Sequence, residues 1–592
     1  MKNRTINVLT KASDFILTPI SKNSVFFVCQ FFIMIIPSLL NYSIDLNYKG
    51  VFAEVAPYIY IYIFDAYIFA TIFTIFNKIV IKVILYSITL ITSAIESFVI
   101  IFYQTRINPT IIRLIRETNK DEILGFFSTI DISHFLCIIC VIIILILIII
   151  YLESINTEIK YKNKYIFISV LLVSICYINI KRNYISIIAY LKCDSTVQIT
   201  HYKRKNNVYP DATTSYGHII YSLALENLAK QDISKLKYAI MQTKINESNI
   251  RSKKIVLVIG ESFNKHHSNL YQYKLNTNHN LKLEVESENL YIFNDVITPF
   301  CSTSLVMQQI FTLKSQDDKY YWANTPLVAS IFLANEYNTM YYSNQEVKDN
   351  NKLSFYHEHF LVSSEISNMC YTQTNTNLYQ LDNLLIDEYK SNCNSIIDDK
   401  HLAIFHLYGQ HFPYKTRYPN NEIIFTANDY QYRTDLTQTQ RETIAHYDNA
   451  TAYNDKVIAN IIDLYRDQDA IIIYLSDHGE EVYDYRNFIG RTPTAKLTPE
   501  ICKYQFEIPF MIWMSDEYKS THPDVVKQVE NSLDKPFMID DLPHLMLDIA
   551  GIDCEWFDPT RSLINERYNA NRKRLLLDSK IDYDEIIKQL KK

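Results

Sequence analysis

Five long apolar runs lie within the first 180 residues of this chain of 592 residues, at 24–42, 55–77, 79–103, 135–152 and 165–180. A helix needs about 17–25 predominantly apolar residues to cross a bilayer. Four of the runs reach that length, and the last falls slightly short. The sequence therefore predicts an N-terminal transmembrane domain of five helices over residues 1–180.

Basic residues around these runs indicate how the chain crosses the membrane. Lysine and arginine precede the first run, and no small-residue cleavage site follows it, so we interpret it as an uncleaved anchor and not a signal peptide. The positive-inside rule then places the N-terminus and the lysine-bearing loops near 78–82 and 160–164 in the cytoplasm. Five crossings leave the rest of the chain outside. The loop at 104–134 is also outside and is basic, but apolar positions at helical spacing favour an amphipathic segment on the membrane surface.

Two acidic residues, Asp65 and Glu96, interrupt the apolar runs. Carboxylates inside a membrane are costly and often functional, which would suit a transporter. The alternative, which we favour, is that both side chains face a neighbouring helix or lie near an interface.

Beyond residue 180 the composition is that of a soluble α/β protein, with a connecting helical segment predicted at 181–250 and a larger domain at 251–592. Four short apolar runs in this domain each end in polar residues. KKIVLVIG precedes Glu261 and Ser262, NTMYY precedes Ser343, Asn344 and Gln345, LAIFHLYG precedes Gln410 and His411, and AIIIYLS precedes Asp477 and His478. A fifth run, IPFMIWM, lacks such residues. This pattern predicts a mostly parallel sheet, whose carboxyl edge binds ligands.

The predicted edge contains candidates for a metal site and a nucleophile. Glu261, Asp477 and His478 offer two carboxylates and an imidazole, which suit zinc with an open coordination position. The hydroxyls of CSTS, residues 301–304, precede a helix-like run, and a helix N-terminus favours phosphate. Such a cluster is nevertheless more often a helix cap than a nucleophile.

Several motifs, in order along the chain, resemble one family. They are ETNKDEI, GESFNKHHSNLYQY, FNDVITPFCSTSLVMQQIFTL, YYSNQ, HLYGQHFPY, AHYDNATAYND and SDHGEEVYD. Together they are similar to the membrane phosphoethanolamine transferases of the alkaline phosphatase/sulfatase-like superfamily, and most to the subgroup that acts on lipopolysaccharide core. Gln272 departs from this pattern, where glycine is usual. The resemblance implies five membrane helices followed by a periplasmic catalytic domain.

The resemblance also implies roles for particular residues. It makes Glu261, Thr303, Asp477 and His478 zinc ligands and Thr303 the nucleophile. His411 and Asn344 are expected to bind substrate, His411 through its phosphate or an additional metal. In FIGRTP, Arg491 stands where the family has histidine. Because guanidinium does not ligate zinc but can hold two phosphate oxygens, we expect one tightly bound zinc with Arg491 on the substrate.

The implied reaction transfers phosphoethanolamine from phosphatidylethanolamine, through a covalent phosphothreonine, to lipopolysaccharide (lipid A or core) or another periplasmic glycan. The enzyme would be a multi-pass protein of a bacterial inner membrane. Two alternatives stay open: a phosphoglycerol transferase of the lipoteichoic acid synthase type, and a non-enzymatic membrane transporter or sensor. A formylglycine sulfatase would need Cys/Ser-x-Pro-x-Arg, and CSTSL has neither the proline nor the arginine. The formal net charge of −6 and the absence of a basic motif argue against nucleic-acid binding.

The chain has ten cysteines. In an oxidising periplasm some of them should form disulfides, and their proximity in sequence favours Cys370 with Cys393.

The predicted orientation can be tested with reporter fusions. A reporter that is active only in the periplasm should work when it is fused after Lys592 and should be inactive when it is fused near Lys162, because five crossings separate the two points. The reverse pattern would contradict the predicted topology and would place the catalytic domain on the cytoplasmic side.

Overall fold

The computed structural model describes most of the chain as two units. The described residues are 2–44, 51–103, 106–107, 111–112, 132–155, 166–180, 214–345, 359–393, 400–491, 497–577 and 581–588. The first unit comprises residues 1–230 and the second comprises residues 231–592.

The first unit is helical. Its helices are α1 (Lys2–Lys22), α2 (Ser24–Ile44), α3 (Val51–Phe76), α4 (Ile79–Tyr103), α5 (Ile132–Ile155), α6 (Ile166–Asn179) and α7 (Ser215–Gln242), the last of which continues into the second unit. All five predicted apolar runs are helical, as α2 to α6. Among the described residues, only α2, α3 and α4 are long and apolar enough to span a membrane. The count of five spans stays a prediction, and most of the loop at 104–134 lies outside the described residues.

Asp65 and Glu96 are both buried and bound to the start of α7. Asp65 Oδ2 accepts hydrogen bonds from Tyr216 Oη at 2.5 Å and Thr214 Oγ1 at 3.1 Å. Glu96 Oε1 lies 2.7 Å from His218 Nδ1. These contacts support the interpretation in which the two carboxylates face neighbouring protein groups, and they give no support to a transport role.

The second unit is an α/β domain. Its described strands are β1 (Lys254–Gly260), β2 (Leu290–Ile292), β3 (Val296–Ile297), β4 (Asn338–Ser343), β5 (Gln373–Thr374), β6 (His401–His406), β7 (Ala470–Ser476), β8 (Glu481–Val482), β9 (Ile489–Gly490), β10 (Phe510–Met514), β11 (Phe537–Met538), β12 (Leu575–Leu576) and β13 (Ile581–Asp582). Its described helices are α8 (His279–Glu286), α9 (Thr303–Phe311), α10 (Val328–Ala334), α11 (His359–Val362), α12 (Ser364–Cys370), α13 (Asp382–Cys393), α14 (Gln438–Tyr465), α15 (Pro499–Gln505), α16 (Asp516–Thr521), α17 (Pro523–Glu530), α18 (Leu542–Ala550) and α19 (Tyr583–Ile587).

Seven strands form the central sheet, in the order β2-β10-β7-β1-β6-β4-β5. The neighbours from β7 to β5 pair in parallel, whereas β10 is antiparallel to both β7 and β2. The sheet is therefore mixed, and the run IPFMIWM forms its antiparallel strand β10. The strands β7, β1, β6 and β4 end level, since Gly260 pairs with Ser476 and His406 pairs with both Ile259 and Ser343. The polar turns that follow these four strands consequently share one edge.

The core holds this sheet rigidly on both faces. Side chains of β1, β6 and β7 are buried along their whole length except at Lys254. On one face, Val457, Ile458, Ile461 and Ile462 of α14 pack against Val258 and its neighbours. A fully buried aliphatic side chain contributes about 1.5–3 kcal/mol, so the strand ends at the edge are well fixed.

The predicted pairing of Cys370 with Cys393 is wrong, because Cys370 is a free thiol. It ends α12 in a fully buried position, and its carbonyl oxygen accepts a hydrogen bond from Thr339 Oγ1 of β4. Closeness in sequence does not bring the two residues together, since a strand and a helix intervene.

A buried ionic cluster links two of the loops at the sheet edge. His267 Nδ1 lies 2.6 Å from Asp448 Oδ1 on α14, and its Nε2 lies 3.0 Å from Asp484 Oδ1 in the loop after β8. Burial lowers the pKa of His267, but the two carboxylates raise it to about 10. The ring is therefore a permanent cation at neutral pH. Asn264 reinforces the link, since its Nδ2 donates to the carbonyl oxygen of Glu480 at 2.9 Å.

We expect His267→Gln to lower the thermal unfolding midpoint of the second unit, because removing one partner of a buried ion pair costs about 3–5 kcal/mol. The folded pKa of His267 lies above the unfolded value, so its contribution is fully present below about pH 6.5 and is lost as pH rises through about 10. The difference between wild type and variant should therefore shrink between these two pH values.

His266→Gln is the matched control, because His266 is partly exposed and its Nε2 pairs with Glu507 at 3.0 Å, away from this cluster. Scanning calorimetry of both variants at several pH values measures the effect. An unfolding deficit of His267→Gln that stays constant from about pH 6 to pH 10 would contradict the assignment of a buried cation.

Candidate metal centre

Three potential metal ligands meet where β1 and β7 end. Glu261 follows β1 directly, and Asp477 and His478 follow β7 directly. Gly260 pairs with Ser476 at the ends of the two strands. The residues that follow them, Glu261 and Asp477, therefore emerge side by side. One ligand atom from each of the three side chains lies within 4.8 Å of the others. Within the described residues this is the only such group of histidine, cysteine or carboxylate ligands, and all three residues are fully buried.

The backbone at Glu261 is shaped to hold this arrangement. Ser262 has a φ of 61°, in the left-handed region that non-glycine residues rarely occupy. In that conformation its N–H donates to Asp477 Oδ1 at 3.0 Å, and its hydroxyl donates to Glu261 Oε1 at 2.8 Å. Backbone strain of this kind persists where the surrounding contacts enforce it, typically at functional sites.

The three side chains direct acceptor atoms toward one another, and one of these atoms, Asp477 Oδ2, has no hydrogen-bond donor among the described residues. His478 Nδ1 lies 3.0 Å from the carbonyl oxygen of Gly479, so Nδ1 carries the proton and Nε2 presents a lone pair. That Nε2 lies 3.0 Å from Asp477 Oδ2 and 3.4 Å from Glu261 Oε1. Asp477 Oδ2 is buried and accepts no hydrogen bond from the part of the chain that the structure describes. Acceptors that converge in this way require a cation, and this donor set suits zinc.

The protonation states also favour a metal. Burial, together with the charge of Arg491, lowers the pKa of His478 to about 3, so the imidazole is neutral at physiological pH. Burial raises the pKa of Asp477, since ionisation in this apolar setting is costly without a positive partner. Metal binding requires a neutral imidazole and a carboxylate whose charge a cation can compensate. His478 and Asp477 provide these two groups.

Thr303 joins the three ligands from a different element. It is the first residue of α9, and Ser302 before it is the N-cap without a capping side-chain hydrogen bond. Thr303 Oγ1 donates to Glu261 Oε2 at 3.0 Å and lies 3.2 Å from His478 Nε2. Thr303 is half-buried, so the structure brings a reachable hydroxyl, of the kind that can act as a nucleophile, to the three potential metal ligands.

Arg491 also lies at the centre. It follows β9, which pairs with β8 in a short hairpin that returns the chain to the site. Its Nη1 contacts His478 Nε2 and lies 3.7 Å from Glu261 Oε1, while its Nε lies 3.6 Å from Glu480 Oε2. Burial lowers the pKa of Arg491, but the carboxylates of Glu261 and Glu480 raise it above its usual value. The guanidinium is therefore a fixed positive charge beside the metal ligands.

The two other expected substrate residues stand apart from the triad. Asn344 is fully buried, with Nδ2 donating to Asp382 Oδ1 at 2.7 Å and Oδ1 accepting from the backbone of Tyr379 at 3.0 Å. Its side chain is thus used inside the protein. His411 is half-buried, and Nδ1 donates to the carbonyl oxygen of Phe412. Its ring has no hydrogen bond or ion pair with the triad among the described residues.

Gln345 occupies the place expected of Asn344. Its Nε2 donates to Glu261 Oε2 at 3.0 Å and to the carbonyl oxygen of Leu407 at 3.1 Å. Gln345 belongs to the same polar turn after β4. The sequence predicted this turn, but it did not predict the direction of each side chain. Glu480, another buried carboxylate, accepts a hydrogen bond from Tyr414 Oη and faces Arg491.

Sequence models of two families match the chain. The Sulfatase model matches residues 253–552, and the model named Phosphoethanolamine transferase EptA/EptB matches residues 63–192. Among curated proteins, Phosphoethanolamine transferase EptC of Escherichia coli (strain K12) is 29% identical over 352 residues, covering 56% of this chain and 58% of that protein. Kdo(2)-lipid A phosphoethanolamine 7''-transferase of Escherichia coli (strain K12) is 38% identical over 137 residues, covering 23% of each chain. The chain thus matches less than two thirds of the length of these relatives.

One solved structure extends the similarity to the fold. The crystal structure of the C-terminal periplasmic domain of EcEptC from Escherichia coli aligns with a TM-score of 0.51 at 29% identity. The alignment covers 58% of this chain and 95% of that chain. The similarity therefore spans nearly all of the solved domain.

Proposed function

We propose, from the premise that this chain belongs to the alkaline phosphatase/sulfatase-like family of phosphoethanolamine transferases, that it transfers phosphoethanolamine through a covalent intermediate on Thr303. The observation that carries the proposal is the position of the Thr303 hydroxyl, within hydrogen-bond distance of both Glu261 and His478. A hydroxyl needs such neighbours to become a nucleophile at neutral pH.

The residues divide the chemistry between them. Glu261, Asp477 and His478, with Thr303, would hold zinc, which supplies positive charge that lowers the pKa of the threonine hydroxyl. Glu261 accepts the Thr303 hydrogen bond, and Gln345 fixes Glu261 by donating to the same oxygen. Arg491 presents charge to the oxygens around phosphorus as they become more negative. The N-terminus of α9 adds backbone N–H groups to the same region.

The reaction has two displacement steps. The Thr303 oxygen bonds to the phosphorus of phosphatidylethanolamine as the bond from phosphorus to the glycerol oxygen breaks, and diacylglycerol leaves with a proton. An acceptor oxygen then bonds to phosphorus, the bond to Thr303 breaks, and the threonine regains its proton. Both steps place new charge on phosphoryl oxygens, which the fixed cations of the site stabilise.

The acceptor is proposed to be lipopolysaccharide, at lipid A or core, or another periplasmic glycan. One relative is a Kdo(2)-lipid A phosphoethanolamine 7''-transferase, which is named for transfer to lipid A. Apolar helices of the first unit would keep the enzyme in a bacterial inner membrane, in the same plane as a lipid donor. The solved relative is described as a periplasmic domain, and we assign the second unit of this chain to the periplasm.

Replacement of the nucleophile tests the proposed reaction. Thr303→Ala should stop release of diacylglycerol from phosphatidylethanolamine, while zinc content and fold persist because three protein ligands remain. Mass spectrometry of wild-type protein given donor alone should find a phosphoethanolamine adduct on Thr303. Ser304→Ala, one residue along the same helix, is the control and should retain turnover. An adduct on Ser302 or Ser304 instead would overturn the assignment.

We expect Arg491 to supply the positive charge that a second metal ion or a histidine would otherwise bring to the substrate phosphate. We expect elemental analysis to find one tightly held zinc per chain, and Arg491→Ala to keep that zinc while turnover falls by about 10²–10³-fold, the effect of removing a transition-state donor. Arg491→Lys, which keeps the charge without the planar fork, should recover part of the loss. Two tight zincs in the native protein, or unchanged turnover in Arg491→Ala, would contradict this role.

A further inference from the structure

Arg417 is a partly buried cation that has no carboxylate partner in the part of the chain that the structure describes. Other arginines of the second unit that are largely buried are paired: Arg561, Arg572 and Arg574 each contact at least two aspartates. No carboxylate oxygen among the described residues lies within ion-pair distance of Arg417. Burial lowers the pKa of Arg417, although the more distant carboxylates of Asp382 and Glu261 act to raise it. Desolvating a cation without a counter-charge is costly, so an anion bound from outside the described residues would stabilise Arg417.

The contacts of Arg417 leave one side of the guanidinium available. Its Nε donates to the carbonyl oxygen of His411 at 3.0 Å, and its guanidinium carbon lies 4.1 Å from the centre of the Tyr408 ring. These contacts fix the plane of the group. Neither Nη1 nor Nη2 has a hydrogen bond to another described residue. Two parallel donors held in a fixed plane match two oxygens of one phosphate.

The loop that carries Arg417 is packed against a metal ligand. After β6, the N–H of Gln410 donates to the carbonyl oxygen of Glu261 at 3.0 Å. Gly409 has a φ of 47°, and a Cβ there would lie 2.8 Å from the backbone nitrogen of Glu261, so only glycine allows this approach. The N–H groups of Tyr408 and Gly409 are in turn held by Asp382, at 2.9 and 3.0 Å.

The loop also returns to the site through Gln345. The carbonyl oxygen of Leu407 accepts from the same Gln345 Nε2 that binds Glu261. Arg417 is then tied back to this loop at His411. The guanidinium is therefore connected, through the loop after β6, to the backbone of Glu261 and to the Gln345 side chain that binds Glu261.

We propose that Arg417 is a substrate-binding residue that holds a phosphate oxyanion with its Nη1 and Nη2 groups. This inference rests on the proposed function and adds to it, because the phosphate is either the phosphodiester of the donor lipid or a phosphate of the acceptor. Arg417 is distinct from Arg491, which contacts the metal ligands directly. It binds the substrate phosphate from the His411 side of the centre.

Titration with inorganic phosphate tests the binding site without requiring turnover. With full-length, zinc-loaded protein in detergent, Arg417→Gln should weaken phosphate binding by at least about tenfold, the loss expected for a charged hydrogen-bonded pair. Arg441→Gln is the matched control, because Arg441 is also part-buried but its Nε and Nη2 donate to the carbonyl oxygens of Arg433 and Leu436. Unchanged affinity in Arg417→Gln, or an equal loss in the control, would overturn the proposal.

A second variant covers the case in which Arg417→Gln does not fold. Arg417→Lys keeps the positive charge and loses the planar fork, and a weakening of phosphate binding by at least about threefold supports bidentate recognition, whereas unchanged affinity refutes it. Zinc content and the thermal unfolding midpoint, measured on each variant, show that the comparison is between folded proteins.

Kinetics separate the two sources of the phosphate. If Arg417 binds the donor, Arg417→Gln raises KM for phosphatidylethanolamine in the diacylglycerol-release reaction run without acceptor, with a smaller effect on kcat. If it binds the acceptor, only KM for the acceptor rises. Unchanged values of both KM sink the proposal. A wild-type protein that binds phosphate through Arg417 but releases no diacylglycerol would instead refute the proposed function and leave the anion site standing.

Discussion

The parallel pairing of β1 with β7 is the constraint on which the site depends. It places Glu261 beside Asp477 and brings two carboxylates and an imidazole together in a fully buried position. Buried carboxylates without counter-charge are strongly destabilising, so this arrangement persists only because the surrounding structure enforces it and a cation completes it. The sheet, with its fully buried central strands, provides the rigidity that holds these repelling groups in place.

The loops around the centre are fixed by a set of polar contacts that each join two strand ends. Gln345 links the turn after β4 to Glu261 and to the loop after β6. Asp382 holds that same loop through Tyr408 and Gly409. His267 and Asn264 connect the segment after β1 to the loop after β7. Because these loops are tied to one another, displacement of one would disturb the positions of the others.

Hydropathy and the order of motifs predicted the strands, the polar edge and the position of the Thr303 hydroxyl beside Glu261 and His478, but not every side-chain direction. The four runs ending in polar residues are the strands that end level, and IPFMIWM lacks such residues because β10 is antiparallel and ends at the opposite edge. Asn344 and Gln345 are adjacent in one turn, and only coordinates show that Gln345 faces Glu261. Arg417 gives no sequence signal, because its distinguishing property is that none of the described residues within ion-pair distance of it is a carboxylate. Cys370 shows the same limit, since proximity in sequence predicted a pairing that the strand and helix geometry excludes.

Charge balance explains why a centre of this kind would need two arginines. The carboxylates in contact with one another or with Arg491 are those of Glu261, Asp477 and Glu480, which together carry three negative charges when ionised. One zinc ion, if bound, and Arg491 would compensate those charges and would leave none for a phosphodiester. The incoming anion would therefore enter a site without net positive charge, unless a further cation faces it. Arg417 is a fixed cation on the adjoining loop without a carboxylate of its own among the described residues. Its positive charge can therefore balance the negative charge of the substrate phosphate, while zinc and Arg491 would balance the three carboxylates of the protein.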